Sequence, residues 1–246
     1  MASLIDSTDT RWFRFLSRWS LVAGLMVLSL LLLGITVVLP ASQRSALPAE
    51  YADLVVAASS PALYRLFAAF DMAVWLGLGG LFVTLAAVFA RVAPIRSAFI
   101  RACGIGQVMG VFGAVVRLAG VTDLAARYAS AVPDQQATLL LPYLNLQLVL
   151  NCAFRTGSML WGTAFVLAAT VAWSSAAFPR WLAALLAVPG ILVLSSAISF
   201  ILTGVDFGFL LLPGLVLLMV SFLTLAVVFW RHPPAVAPIE RGALAN

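Results

Sequence analysis

Six runs of about 20 apolar residues each, the length at which a helix spans roughly 30 Å of hydrocarbon, leave this chain one class of fold. They lie near Ser20 to Leu39, Leu66 to Ala90, Phe99 to Val121, Leu146 to Ala172, Leu182 to Leu202 and Phe209 to Phe229. Inside a bilayer every backbone N–H and C=O needs an internal partner, and runs of this length find it as helices. The expected fold is therefore all-α, a polytopic membrane helix bundle of about six transmembrane helices. Composition closes off the soluble alternative: 63% of the residues are hydrophobic and 9% are charged, where a soluble domain carries about a quarter charged residues. The chain reads as a single integral membrane domain over residues 1–246, with 1–19 an interfacial amphipathic N-terminus, 20–230 the six-helix bundle and 231–246 a cytoplasmic tail.

Arginine placement orients the bundle. Arg11, Arg14, Arg18, Arg91, Arg96, Arg101, Arg180, Arg231 and Arg241 fall on one side, against Arg44, Arg65, Arg117 and Arg127 on or near the other. By the positive-inside rule the N and C termini are cytoplasmic. Aromatic residues repeat the pattern, with Trp12, Trp19, Trp173, Trp181 and Trp230 at the inner boundary and Tyr51, Tyr64, Tyr128 and Tyr143 at the outer one. The first apolar run exceeds the 7 to 15 residues of a signal peptide and reads as an uncleaved first helix. Before it, Arg11, Arg14 and Arg18 share one helical face and Trp12, Phe15, Leu16 and Trp19 the other, an interfacial anchor. Two outer connections, Pro40 to Tyr64 and Thr122 to Tyr143, are long and alanine-rich, so short helices lying over the outer face are expected there, with a lid as one use.

All fourteen basic residues are arginine, and they flank membrane segments instead of forming a patch, so no nucleic-acid partner is expected. Cys103 and Cys152 sit at different depths, which opposes a disulfide. With the single His232 placed in the tail, the chain offers no metal set and no intramembrane haem ligand. No cofactor is expected. Membrane lipids are the expected partners, with a helix–helix partner or a homo-oligomer as a further one.

The segment Ser60-Pro61-Ala62-Leu63-Tyr64-Arg65-Leu66-Phe67-Ala68-Ala69-Phe70-Asp71 resembles the start of the second helix in an uncharacterised family of six-helix bacterial membrane proteins, a domain of unknown function. Phe178-Pro179-Arg180-Trp181-Leu182 resembles the turn before that family's fifth helix, and Arg101 is similar to the arginine near the start of its third. The resemblance covers roughly residues 20 to 205 and implies a multi-pass protein of the bacterial inner membrane. This chain departs from the family at helix four, where many members carry a His-Asp-Tyr-Gly-like stretch and this one has Asn151-Cys152-Ala153-Phe154-Arg155-Thr156-Gly157, so no role of that histidine carries over. The family carries no assigned activity, so the resemblance speaks to fold and not to function.

Polar groups within the membrane are the candidates for function, because a central charge costs about 2.5–3.5 kcal/mol to insert. Asp71 lies about 8 Å and Arg117 about 6 Å below the outer edge of their helices, at levels that let them pair. Gln147, Asn151 and Arg155 recur at i, i+4 and i+8 on helix four, one stripe expected to avoid lipid. Asp71, Arg117, Gln147, Asn151 and Arg155 form the candidate ligand-binding set, Arg155 being suited to a carboxylate or phosphate. Asp123, Asp206 and Arg65 are placed to surround the same outward-opening cavity. The competing reading is structural: Asp71 with Arg117 or Arg155 makes a buried ion pair, and the amides bridge helices. Gly106 and Gly110 form a Gly-x-x-x-Gly pair that reads as packing. Pro189-Gly190 and Pro213-Gly214 invite kinks, of the kind that interrupt transporter helices.

Three functions stay open. A non-enzymatic membrane protein binding a lipid or small amphiphile fits the helix-four stripe. A small secondary transporter, or a membrane subunit of a transport complex, fits the Pro-Gly pairs. A membrane enzyme fits worst, for want of a histidine base, paired aspartates on one helix or an activated serine.

Overall fold

In the computed structural model the described residues are 2–38, 40, 43, 47–175, 178–203 and 208–231. Arg44, Asp206, His232, Arg241 and the tail beyond 231 lie outside them, as do the side chains of Arg11 and Trp12. Among the described residues every regular element is helical. We number the α-helices α1 Ala2–Leu33, α2 Ala52–Ser59, α3 Pro61–Phe89, α4 Pro94–Gly106, α5 Val108–Val116, α6 Thr122–Ser130, α7 Pro133–Ser174, α8 Arg180–Thr203 and α9 Gly208–Arg231. Among the described residues six stretches are long and apolar enough to cross a membrane: Phe13–Thr36, Pro61–Phe89, Pro94–Ser130, Pro133–Ser174, Arg180–Thr203 and Pro213–Trp230. The protein is a polytopic helical membrane protein.

The helices depart from the expected ones at their ends. Short helices do form in both outer connections, but Thr122 to Tyr143 is not a loop. Helix α6 prolongs the third span through a π turn, Arg117–Val121, and α7 begins at Pro133 and runs 42 residues. Proline at a first helical position costs no hydrogen bond, since that N–H has no intrahelical acceptor, so Pro133 starts α7 instead of blocking it. Helix α7 continues past Pro142, and α8 and α9 run through Pro189 and Pro213 without a break in the helix.

The chain divides into two compact units. One comprises Met1–Leu25, Gly77–Gln107 and Ser158–Asn246. Its interior is aromatic: Phe165 meets Phe82 edge-on at 5.1 Å and Trp161 at 5.8 Å, Phe89 meets Phe178 at 5.2 Å, and Phe13 stacks on Phe229 at 5.6 Å. Helices approach to backbone contact where glycines face each other. A Cβ on Gly162 would stand 3.0 Å from the Gly190 carbonyl oxygen, and one on Gly190 3.0 Å from that of Gly162, so α7 and α8 meet at the Pro189-Gly190 pair. Three polar side chains inside this unit bond to backbone of other segments: the Ser17 hydroxyl donates to the Ala226 carbonyl at 2.6 Å, the Ser221 hydroxyl to that of Leu185 at 2.9 Å, and the Trp19 indole N–H to that of Gly77 at 2.9 Å. Trp173 and Trp230, each 62% exposed, present their rings outward as boundary residues do.

The other unit comprises Met26–Leu76 and Val108–Gly157. Its core is Tyr51, Leu54, Val56 and Ala57 at α2, closed by Tyr64, Val121, Ala125, Tyr143 and Leu150. Helix α2 packs on α6. This corrects the expected aromatic belt: Tyr64 and Tyr143 are fully buried and Tyr51 nearly so. A tyrosine leaves the membrane surface for the interior when its hydroxyl finds a partner there. Tyr64 donates to Asp53, and Tyr143 accepts from the Gln147 side chain.

Candidate functional site

Tyr64, Phe67, Asp71 and Trp75 recur at i, i+3, i+7 and i+11 along α3, which places all four on one helical face. Gly110, Gly113 and Arg117 recur at i, i+3 and i+7 on the third span. The two faces meet, and the glycines make the room. A Cβ on Gly110 would fall within the Trp75 indole, and one on Gly157 of α7 would lie 2.7 Å from it. Trp75 thus packs against two glycines, with its ring stacked on Phe154 at 5.8 Å. Held that way, its indole N–H donates to Asp71 Oδ1 at 3.1 Å.

Asp71 is 7% exposed and its other oxygen, Oδ2, accepts from Arg117 Nη1 at 2.8 Å. A second carboxylate approaches the same guanidinium from α2: Asp53 Oδ2 lies 3.4 Å from Arg117 Nε and accepts from the Tyr64 hydroxyl at 3.2 Å. The two ion pairs are unequal. The Asp71 contact is a charge-assisted hydrogen bond, whereas Nε makes no hydrogen bond among the described residues. The faces of Phe154 and Phe67 flank the guanidinium, 4.6 and 5.7 Å from its carbon, a favourable position for a desolvated cation. Arg117 also begins the π turn, a distortion found frequently at functional sites because it re-aims side chains at the cost of helix regularity. Its side chain keeps 18% of its surface open, as does that of Asp53.

The structure thus brings together Asp71 and Arg117 of the expected set. Gln147 is half-buried and turned to Tyr143. Asn151 is exposed, whereas Arg155, 9% exposed, is buried and engaged within the fold. The helix-four stripe is split because steps of four residues advance about 40° each, so its ends stand about 80° apart around the axis. Arg65 is exposed. Asp123 pairs with Arg127 at 2.9 Å on the surface of α6, both side chains more than half exposed. An i,i+4 pair in that setting is worth little, so Asp123→Ala is expected to change stability by under about 0.5 kcal/mol, read as an unchanged melting temperature in detergent.

Sequence reasoning missed Asp53, Phe67, Trp75 and Phe154. The i, i+3, i+7, i+11 recurrence on α3 was a signal for Phe67 and Trp75. Asp53 had none, since it reaches Arg117 only through the docking of α2.

A model of the family described as a domain of unknown function (DUF4386) matches residues 13–231. No curated protein and no solved structure matches the chain.

Proposed function

We propose, for a chain that belongs to the DUF4386 family, that it is a non-enzymatic membrane protein whose Arg117 binds the anionic group of a small amphiphile. The supporting observation is the asymmetry of the Arg117 clamp. Asp71 holds Nη1 in a 2.8 Å bond, while Asp53 stands at 3.4 Å from Nε on the eight-residue helix α2. Asp53 occupies the position that a ligand carboxylate or phosphate would take, and α2 acts as the lid that carries it. Guanidinium suits either group, because its planar fork presents several donors at once. Phe67 and Phe154 supply the apolar walls that the hydrocarbon part of an amphiphile needs. On this reading the protein sits in a bacterial inner membrane with cytoplasmic termini, and the site opens outward, as the arginine distribution implies.

Dodecyl phosphate and neutral dodecanol are the probes, with thermal unfolding of purified protein as readout. Asp53→Asn weakens the internal competitor and is expected to increase the stabilisation by dodecyl phosphate, with half-saturation falling about tenfold, the equivalent of one charge-assisted contact. Arg117→Gln is expected to abolish the response, and dodecanol to give none in any variant. Equal responses of wild type and Asp53→Asn, or a response that survives Arg117→Gln, refute the proposal and leave the cluster a structural clamp.

A further inference from the structure

A second polar and apolar juxtaposition lies in the other unit. The first turn of α4, the last three turns of α7 and the first two turns of α8 enclose an open groove of about 470 Å³. Its floor is small: Ala169, Ala183, Ala184 and Ala187 stand where larger side chains would close it. One end is polar. There Arg96 Nη1 donates to the Ser174 hydroxyl at 3.2 Å and to the Thr170 carbonyl at 3.4 Å, and Trp173 lines the same wall. The guanidinium has five donors, and both of these bonds come from Nη1, so it has donors beyond them with which to bond an anion. Arg180 lies over the Trp173 ring at 5.7 Å and adds a second positive charge at this end. Among the described residues that line it, none is acidic.

From Ser174 to Val166 the groove follows α7 for eight residues, about 12 Å of rise into the apolar run. Charge at a boundary and an apolar slot leading away from it match one ligand shape. We infer that this groove is a site for a glycerophospholipid of net negative charge, its phosphodiester on Arg96 and an acyl chain along the alanines. The site is separate from Arg117: it sits among the arginines that the charge distribution places inside, and its occupant is a bilayer lipid. Basic pockets between transmembrane helices on that side bind anionic headgroups by the same combination of charge and shape. Bulk lipid solvates any apolar helix face, but it has no reason to prefer a charged headgroup there.

Native mass spectrometry of the full chain, released from micelles containing phosphatidylglycerol and phosphatidylcholine, reads the site. The wild type is expected to retain phosphatidylglycerol preferentially. Arg96→Gln is expected to reduce that preference about fivefold, the effect of one basic side chain at a membrane surface. Ala187→Trp fills the slot and is expected to remove retention of both lipids; Ala184→Leu, at an exposed position, does the same with less risk to folding. Asp123→Ala, at an exposed ion pair of the other unit, is expected to leave retention unchanged; this site is read by Arg96→Gln and the Arg117 cluster by Arg117→Gln, so failure here and failure there are distinguishable. Equal retention of the two lipids by wild type, undiminished preference in Arg96→Gln, retention that survives both groove-filling variants, or displacement of the lipid by inorganic phosphate overturns the inference.

Discussion

Replacing Arg117 by leucine is expected to lower stability by about 3–5 kcal/mol, the cost of leaving a buried charge without its partner. Asp71 is 7% exposed and, among the described residues, would keep the Trp75 indole as its donor, while Asp53 would keep the Tyr64 hydroxyl. For a chain of this size the loss corresponds to a melting temperature lower by roughly 10 °C. Thermal unfolding followed by intrinsic fluorescence in detergent measures it. A companion variant separates charge from shape: adding Asp71→Asn to Arg117→Leu removes the stranded carboxylate and is expected to restore part of the loss. If the double variant is no more stable than Arg117→Leu alone, the ion pair is not the source of the effect. The two residues touch, so the non-additivity is itself the measurement of their coupling.

Gly110→Leu is expected to be comparably damaging for a different reason. Even a methyl at that position overlaps the Trp75 indole, and the ring also packs on Gly157, where a Cβ would stand 2.7 Å from it, and on Phe154, so it is held closely where it is. Overpacking of this kind costs about 1–3 kcal/mol, and the displaced indole also gives up its bond to Asp71, worth about 1.5–3 kcal/mol to a charged acceptor. The sum is about 2.5–6 kcal/mol. Pairing Gly110→Ala with Trp75→Leu tests the steric cause: the smaller side chain vacates the slot, and the pair should be more stable than Gly110→Ala alone. A pair that is worse than either single variant would show that Trp75 contributes through its hydrogen bond and stacking more than through fit.

These two variants also show how far the candidate site was legible. Asp71 and Arg117 stood out because a charge inside an apolar run is conspicuous in one dimension, and their matching depth follows from the rise of a helix. Gly110 read as a packing residue, and it is one. Its partner did not follow from the Gly-x-x-x-Gly spacing: a Cβ on Gly106 would meet Leu160 of α7, whereas one on Gly110 would meet Trp75 of α3. The fourth span, α7, misled in the same way. Gln147, Asn151 and Arg155 fit a stripe by spacing, yet Asn151 is exposed and Arg155 buried. Spacing fixes the angles between residues on a helix; it leaves open how the helix is rotated about its own axis, which is set by what packs against it.

Tyr51, Tyr64 and Tyr143 make the same point for the boundary. Their chemistry suits a membrane interface, and equally an interior in which the hydroxyl has a partner. The partner was invisible until α2 folded onto α6 and brought Asp53 beside Tyr64 and Arg117.

By itself the sequence determined the class of molecule, the six spanning helices and the two buried charges placed to meet, because apolar length and the cost of burying charge in lipid act locally along the chain. Only the tertiary structure decided which face each helix turns inward, that a π turn aims Arg117, and that a second carboxylate arrives from a short helix far away in the chain. Those outcomes depend on packing between segments distant in sequence, which no periodicity within one segment encodes.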